Sequence, residues 1–241
     1  MHPDTPNSTS FPPDGIAAVV GASGGIGAAL LARLRASKGF CAVVPLGRNT
    51  DPALELCNED SIAASAARIA AAGAPLRLVI DATGFLHGGG FEPEKSLSQL
   101  DPAHMAHAFA INAIGPAMLI KHLAPLLASD GKAVFATLSA RVGSIGDNRL
   151  GGWYSYRASK AALNQLVHTS AIELGRRKPQ AIIVALHPGT VASPLSAPFA
   201  KTGLEVRSPQ IAADELLAVI ERLELTDSGG FFDHKGMAIP W

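Results

Sequence analysis

From Ile16 onward, short unbroken apolar runs alternate with longer segments in which apolar residues return every three or four positions. The runs IAAVV (16–20), FCAVVPL (40–46), LRLVID (76–81), KAVFATLS (132–139) and AIIVALH (181–187) predict strands, with a late one in GGFFD (229–233). They scarcely alternate between polar and apolar residues, as expected of strands covered on both faces. The longer segments predict helices over about 26–37, 61–72, 102–128, 154–177 and 211–223. Within the fourth, Leu163, Leu166, Val167, Ser170 and Leu174 form a stripe suited to packing. Strand and helix in such alternation predict an α/β fold, a parallel sheet with helices on both faces.

The 241 residues suit one domain, expected over 15–241 behind a flexible polar leader, MHPDTPNSTSFPPD, at 1–14. A proline-rich stretch at about 191–210 reads as a lid loop. Twenty Lys+Arg balance twenty Asp+Glu, so no basic surplus points to nucleic acid or an anionic membrane. Each long apolar run is broken by Gly, Pro or charge before the length needed to cross a bilayer. Cys41 and Cys57 form neither a disulfide framework nor a metal-ligand pattern, which fits a reducing cytoplasm.

Candidate chemistry begins directly after the first strand, in Gly21-Ala22-Ser23-Gly24-Gly25-Ile26-Gly27. Strand, glycine turn and helix in this order bring a dinucleotide pyrophosphate to the free N–H groups of a helix N-terminus. The spacing is GxxxGxG, and tight packing alone is the plainer reading of such a loop. The second strand ends in Gly47-Arg48-Asn49. An acidic residue there would bond the ribose 2′-hydroxyl of NAD, whereas Arg48 suits the 2′-phosphate of NADP; the plainer alternative is a surface arginine.

Further on, SARVGSIGDNRLGGWYSYRASK (139–160) places Tyr156 and Lys160 four apart, on one face of the predicted helix. A nearby ammonium favours the phenolate and so lowers the tyrosine pKa, preparing it to exchange a proton with a carbonyl or alcohol. The pair alone is common by composition. His104 and His107, three apart with no third ligand in sequence reach, read as a solvated helix face, so no metal is expected. His87 follows the third strand, where it either touches substrate or simply sits in a loop.

Together the motifs are specific. The GASGGIG loop, Asn112 in FAINAIGP, YRASK and HPGTV (187–191) resemble, in identity and order, the short-chain dehydrogenase/reductase family over residues 16–241. The ending FFDHKGMAIPW and the stretch before Tyr156 are most similar to its carbonyl-reductase-like branch, which includes the C-factor signalling proteins. The resemblance implies a Rossmann-type doubly wound sheet of about seven strands. It implies Tyr156 as acid and base, Lys160 as its partner and holder of the nicotinamide ribose, and Asn112 as support for a relay water. It also implies cofactor contacts from Gly21, Ser23, Gly24, Gly25, Ile26, Gly27, Arg48, Asn49, Glu55, Leu56, Ala82, Thr83, Gly84, Pro188, Gly189 and Val191.

Three positions depart from the family pattern. Asp81 stands where an asparagine is usual, and Glu55-Leu56 where an aspartate commonly meets adenine. Measured back from Gly143, the catalytic serine position holds Ala140. Either Ser139 or Ser144 replaces it, the former only if the strand end kinks, or neither does and Tyr156 acts alone. The expected activity is carbonyl–alcohol interconversion on a small-molecule substrate, with NADP(H) preferred and NAD(H) as the alternative. A homodimer or homotetramer is expected from the small residues on the helices from Pro102 and Tyr154. The competing expectation is a catalytically weak or inactive nucleotide-binding signalling protein on the same fold.

Overall fold

A computed structural model describes residues 9–193, 195 and 206–241. Its central sheet is entirely parallel and contains β1 (Ile16–Val20), β2 (Ala42–Leu46), β3 (Leu76–Asp81), β4 (Ala133–Leu138), β5 (Ala181–His187) and β8 (Phe231–Asp233). The order β2-β1-β3-β4-β5-β8 reverses direction between β1 and β3, the crevice where open α/β sheets bind ligands. A separate pair joins β6 (Thr190–Val191) to β7 (Val206–Arg207). Among the described residues the sheet has six strands where about seven were expected; the segment 47–58 turns straight into the next helix, which leaves β2 at the edge. Pro45, which lacks an N–H, is tolerated within that edge strand.

Among the described residues six α-helices cover the sheet: α1 (Gly25–Ser37), α2 (Glu59–Ala70), α3 (Pro102–Phe109), α4 (Gly115–Leu123), α5 (Tyr154–Gly175) and α6 (Pro209–Arg222). Alternate residues of β1 serve two cores. Ile16, Ala18 and Val20 pack with Phe135, Ile183, Leu119 and Leu163 on one face, while Ala17 and Val19 pack with Leu30, Leu216 and Ile220 on the other.

The helix expected over 102–128 is α3 and α4 joined by a π-helical turn, Ala110–Ile114. Contrary to expectation, the helical run Pro102–Leu126 is long and apolar enough, by length and composition, to cross a bilayer. Gly115 and Pro116 do not interrupt it, because they fall in the first turn of α4, where proline's missing N–H costs little. Its Ala108, Asn112, Leu119 and Leu123 are buried in the protein.

Part of the expected leader is anchored. Thr9 and Ser10 bond to the Glu221 carboxylate, and Phe11 is buried against Phe40 in the core beside α1 and α6. Residues 1–8 lie outside the described residues, as do 194 and 196–205 of the expected lid.

Candidate functional site

The first component is the loop after β1. Gly21 has φ +75°, a conformation that disfavours any side chain, and its N–H bonds to Leu46 O at 2.9 Å. A Cβ on Gly27 would lie 2.2 Å from Gly21 O, so α1 approaches the turn as closely as it does only because Gly27 has no side chain. The cap residue of α1 is Gly24, and its first turn holds no acidic residue. A helix N-terminus without an acidic residue suits an anion, which fits a pyrophosphate beside Ser23, Gly25 and Ile26.

The loop after β3 closes against this turn. Ala82 N bonds to Val20 O, and the Thr83 methyl lies 3.1 Å from where a Gly21 Cβ would stand. A Cβ on Gly84 would lie 3.7 Å from Asn112 Oδ1 and 3.8 Å from Lys160 Nζ. Gly21, Ala82, Thr83, Gly84, Asn112 and Lys160 are thus gathered at the carboxyl ends of the strands. Arg48 and Asn49 are exposed on the turn after β2. Glu55 is exposed as well, while Leu56 packs against Gly115. Pro188 and Gly189 follow β5, and Val191 is buried in β6.

Asn112 occupies the π-helical turn, a distortion frequent at functional sites. Its Oδ1 accepts from Phe85 N and its Nδ2 donates to Phe85 O, both at 2.8 Å. Nδ2 also donates to Ser159 Oγ at 3.1 Å, and Ser159 in turn donates to Tyr156 O. Asn112 therefore clips the loop after β3 to the helix that carries Tyr156.

Lys160 is buried, and its Nζ donates to Leu138 O at 2.7 Å. Burial pulls its pKa down to about 8, with the Asp81 carboxylate acting in the opposite direction. Burial lifts the half-buried Tyr156 phenol to about 12. Desolvation is the cause at the phenol, while the Lys160 ammonium is bonded to the Leu138 carbonyl.

Asp81 is fully buried and satisfied. Its Oδ1 accepts from Thr83 N at 3.0 Å and Thr83 Oγ1 at 2.6 Å, and its Oδ2 accepts from Thr137 Oγ1 at 2.7 Å. Burial still raises its pKa above the ordinary value despite these bonds. The carboxylate thus replaces the usual amide without an orphaned partner.

Both candidate serines are bonded elsewhere. Ser139 donates to Asn164 Oδ1 at 2.6 Å, and Ser139 N continues the strand ladder to Leu186 O, so no kink redirects the side chain. Ser144 donates to Pro240 O and accepts from Asp147 N at 3.0 Å. Ala140 is extended and buried.

Sequence reasoning passed over Glu94, Ser155 and Ser159. Glu94 bonds α5 from a loop about sixty residues earlier in the chain, and no local pattern marks so distant a pairing. Gly151-Gly152 ahead of the helix was the available signal: both have positive φ, as does Trp153. Of the pair expected on a solvated face of α3, His107 is exposed, whereas His104 is buried, stacked on Phe91 at 5.0 Å, with Nδ1 3.2 Å from Glu94 Oε1.

Comparison with known proteins agrees with this geometry. The model of the short chain dehydrogenase family matches residues 15–203. The chain is 36% identical over 147 residues to C-signal of Myxococcus xanthus, covering 61% of this chain and 84% of that protein. It is 32% identical over 195 residues, 81% of each chain, to 1-hydroxy-2-glutathionyl-2-methyl-3-butene dehydrogenase of Rhodococcus. NADPH-bound carbonyl reductase from chicken fatty liver superposes with a TM-score of 0.81 at 26% identity, covering 95% of this chain and 99% of that one.

Proposed function

Because the chain belongs to the short-chain dehydrogenase family and is with it an NAD(P)-dependent oxidoreductase, we propose that it interconverts a carbonyl and an alcohol using NADP(H), with Tyr156 as general acid and base. The observation that carries this reading is the convergence of Lys160, Asn112 and Gly84 beside the glycine turn, with Tyr156 one helical turn before Lys160. When bound, a reduced nicotinamide supplies the hydride.

The chain's own residues do the rest. Tyr156 gives its proton to the carbonyl oxygen as negative charge develops there, and a phenol near 12 stays protonated through the neutral range. Lys160 presents a buried positive charge and a donor for a ribose hydroxyl, and Asn112 fixes the spacing between α5 and the loop after β3. Ser139 and Ser144 have committed their protons, which supports Tyr156 as the sole donor to the substrate oxygen. Arg48 supports NADP(H) over the alternative, NAD(H). The reading extends to a homodimer or homotetramer, supported by exposed Ile114 and Ile172, and to a reducing compartment, supported by free Cys41 and Cys57.

The test follows NADPH oxidation across aldehydes, ketones and quinones for the wild type and Tyr156→Phe. The wild type is expected to turn over, and Tyr156→Phe to lose about a hundredfold or more in kcat with unchanged NADPH affinity. Tight NADPH binding without wild-type turnover would favour the second reading, a catalytically weak signalling protein. Ala140 at the serine position and the similarity to C-signal are what favour that reading.

A further inference from the structure

Helix α5 carries Tyr156 in its first turn, yet it lacks a cap of its own. The residue at the cap position is Trp153, left-handed at φ +52°, and its side chain makes no capping bond. The first N–H groups of a helix have no partner within it, so the first turn frays unless a side chain accepts from them.

That acceptor comes from a different loop. Glu94 is 2% exposed, and its Oε2 accepts from Ser155 N at 3.2 Å while its Oε1 accepts from the Ser155 hydroxyl. The Glu94 carbonyl accepts from Trp153 N, so backbone and side chain of one residue hold positions 153 and 155 at the start of α5. His104, packed on Phe91 and 3.2 Å from Oε1, backs the carboxylate from α3. Burial alone would raise the Glu94 carboxyl, but the bonds from Ser155 and the nearby His104 hold it below the usual range, so the cap is anionic. An anion at a helix N-terminus also gains from the macrodipole.

We propose that Glu94, on a distant loop of the same chain, is the N-cap of α5 and the positioning residue for Tyr156, tying the active hydroxyl to the loop 85–95 on the substrate side of the sheet. The proposal rests on the reading of Tyr156 as proton donor. Ser155 directly precedes Tyr156, so the two bonds to Ser155 fix the backbone from which the phenol projects. Arg157 secures the other side, donating to the carbonyls of Val142, Gly151 and Gly152.

The test compares Glu94→Ala and Glu94→Gln with Glu92→Ala, a change at an exposed neighbour. Two readouts are taken: kcat and NADPH KM in carbonyl reduction, and amide hydrogen exchange at Ser155. Glu94→Ala is expected to speed Ser155 exchange by about tenfold. It is expected to lower kcat by about tenfold to a hundredfold, since small misplacements of a reacting group cost that much, with NADPH KM unchanged. Glu94→Gln keeps the shape and one acceptor, so it should recover part of both losses; it also serves if the alanine variant does not fold. Unchanged Ser155 exchange in both variants, or kcat within twofold of wild type, overturns the proposal. An equal kcat loss in Glu92→Ala does so too. A wild type without carbonyl reduction would instead sink the reading of Tyr156, and the exchange readout would still decide the cap.

Discussion

Lys160 Nζ donates at 2.7 Å to the carbonyl oxygen of Leu138, so the residue one turn beyond Tyr156 is bonded to the end of β4. This bond places a cation inside the protein at the carboxyl ends of the strands. The buried Asp81 carboxylate favours that charge.

The first prediction follows from that burial. A lysine depressed to about 8 loses its proton as pH rises through that value, so reduction that needs the Lys160 charge should decline above about pH 8. Lys160→Arg, which does not titrate in this range, should flatten the profile even if its plateau is lower. In the unfolded chain the lysine titrates near its ordinary value of about 10.4, so below pH 8 the buried ammonium costs roughly 3 kcal/mol, and the cost fades between the two values. Thermal unfolding should therefore show Lys160→Met gaining on wild type at pH 7 and converging with it near pH 10. Parallel curves would contradict the depressed lysine.

Asp81 gives a second prediction. Its carboxylate opposes the loss of the Lys160 proton, so Asp81→Asn should move the decline in reduction to lower pH. The amide oxygen can still accept from Thr83 and the amide nitrogen can donate to the Thr137 hydroxyl oxygen, so urea unfolding should change by no more than about 1 kcal/mol. An unchanged pH of decline would mean that the two groups do not act on each other, and a shift to higher pH would contradict the sign of their interaction.

The parallel sheet was legible because its strands are unbroken apolar runs, and the glycine turn because Gly21 and Gly27 answer to a local steric need. Tyr156, Lys160 and Asn112 were found by motif, and the structure brings Lys160 and Asn112 together at Gly84. Other features depend on contacts that no window of sequence contains. The Lys160 pKa is set by its depth, the commitment of Ser139 by Asn164 on another element, and the cap of α5 by Glu94 on a distant loop. His104 looked solvated because helical spacing alone does not reveal which loop covers a face; Phe91 and Glu94 do so.

The third prediction concerns the cofactor. Arg48 stands exposed on the turn after β2, where a guanidinium can pair with a 2′-phosphate. Arg48→Ala should weaken NADPH binding by about tenfold to a hundredfold, the worth of a charge-assisted bond, while leaving NADH within twofold. Equal losses with both nucleotides in thermal-shift titration would remove Arg48 from cofactor choice.

The fourth prediction turns on Ala140. Ser139 still donates its N–H to Leu186 O, so the strand alternation persists past β4. With the Ser139 side chain bonded to Asn164 on α5, the Ala140 methyl lies on the opposite side. A hydroxyl restored there would stand at the register where the family keeps its serine. Ala140→Ser should therefore raise kcat for carbonyl reduction, by up to about a hundredfold, the worth of one oxyanion donor. NADPH affinity should not change. Ser139→Ala should leave kcat within twofold but cost about 1 kcal/mol of stability through the lost Asn164 bond. If instead Ser139→Ala abolishes reduction and Ala140→Ser adds nothing, the substrate oxygen is served by Ser139 after rearrangement of Asn164, and Tyr156 does not act alone.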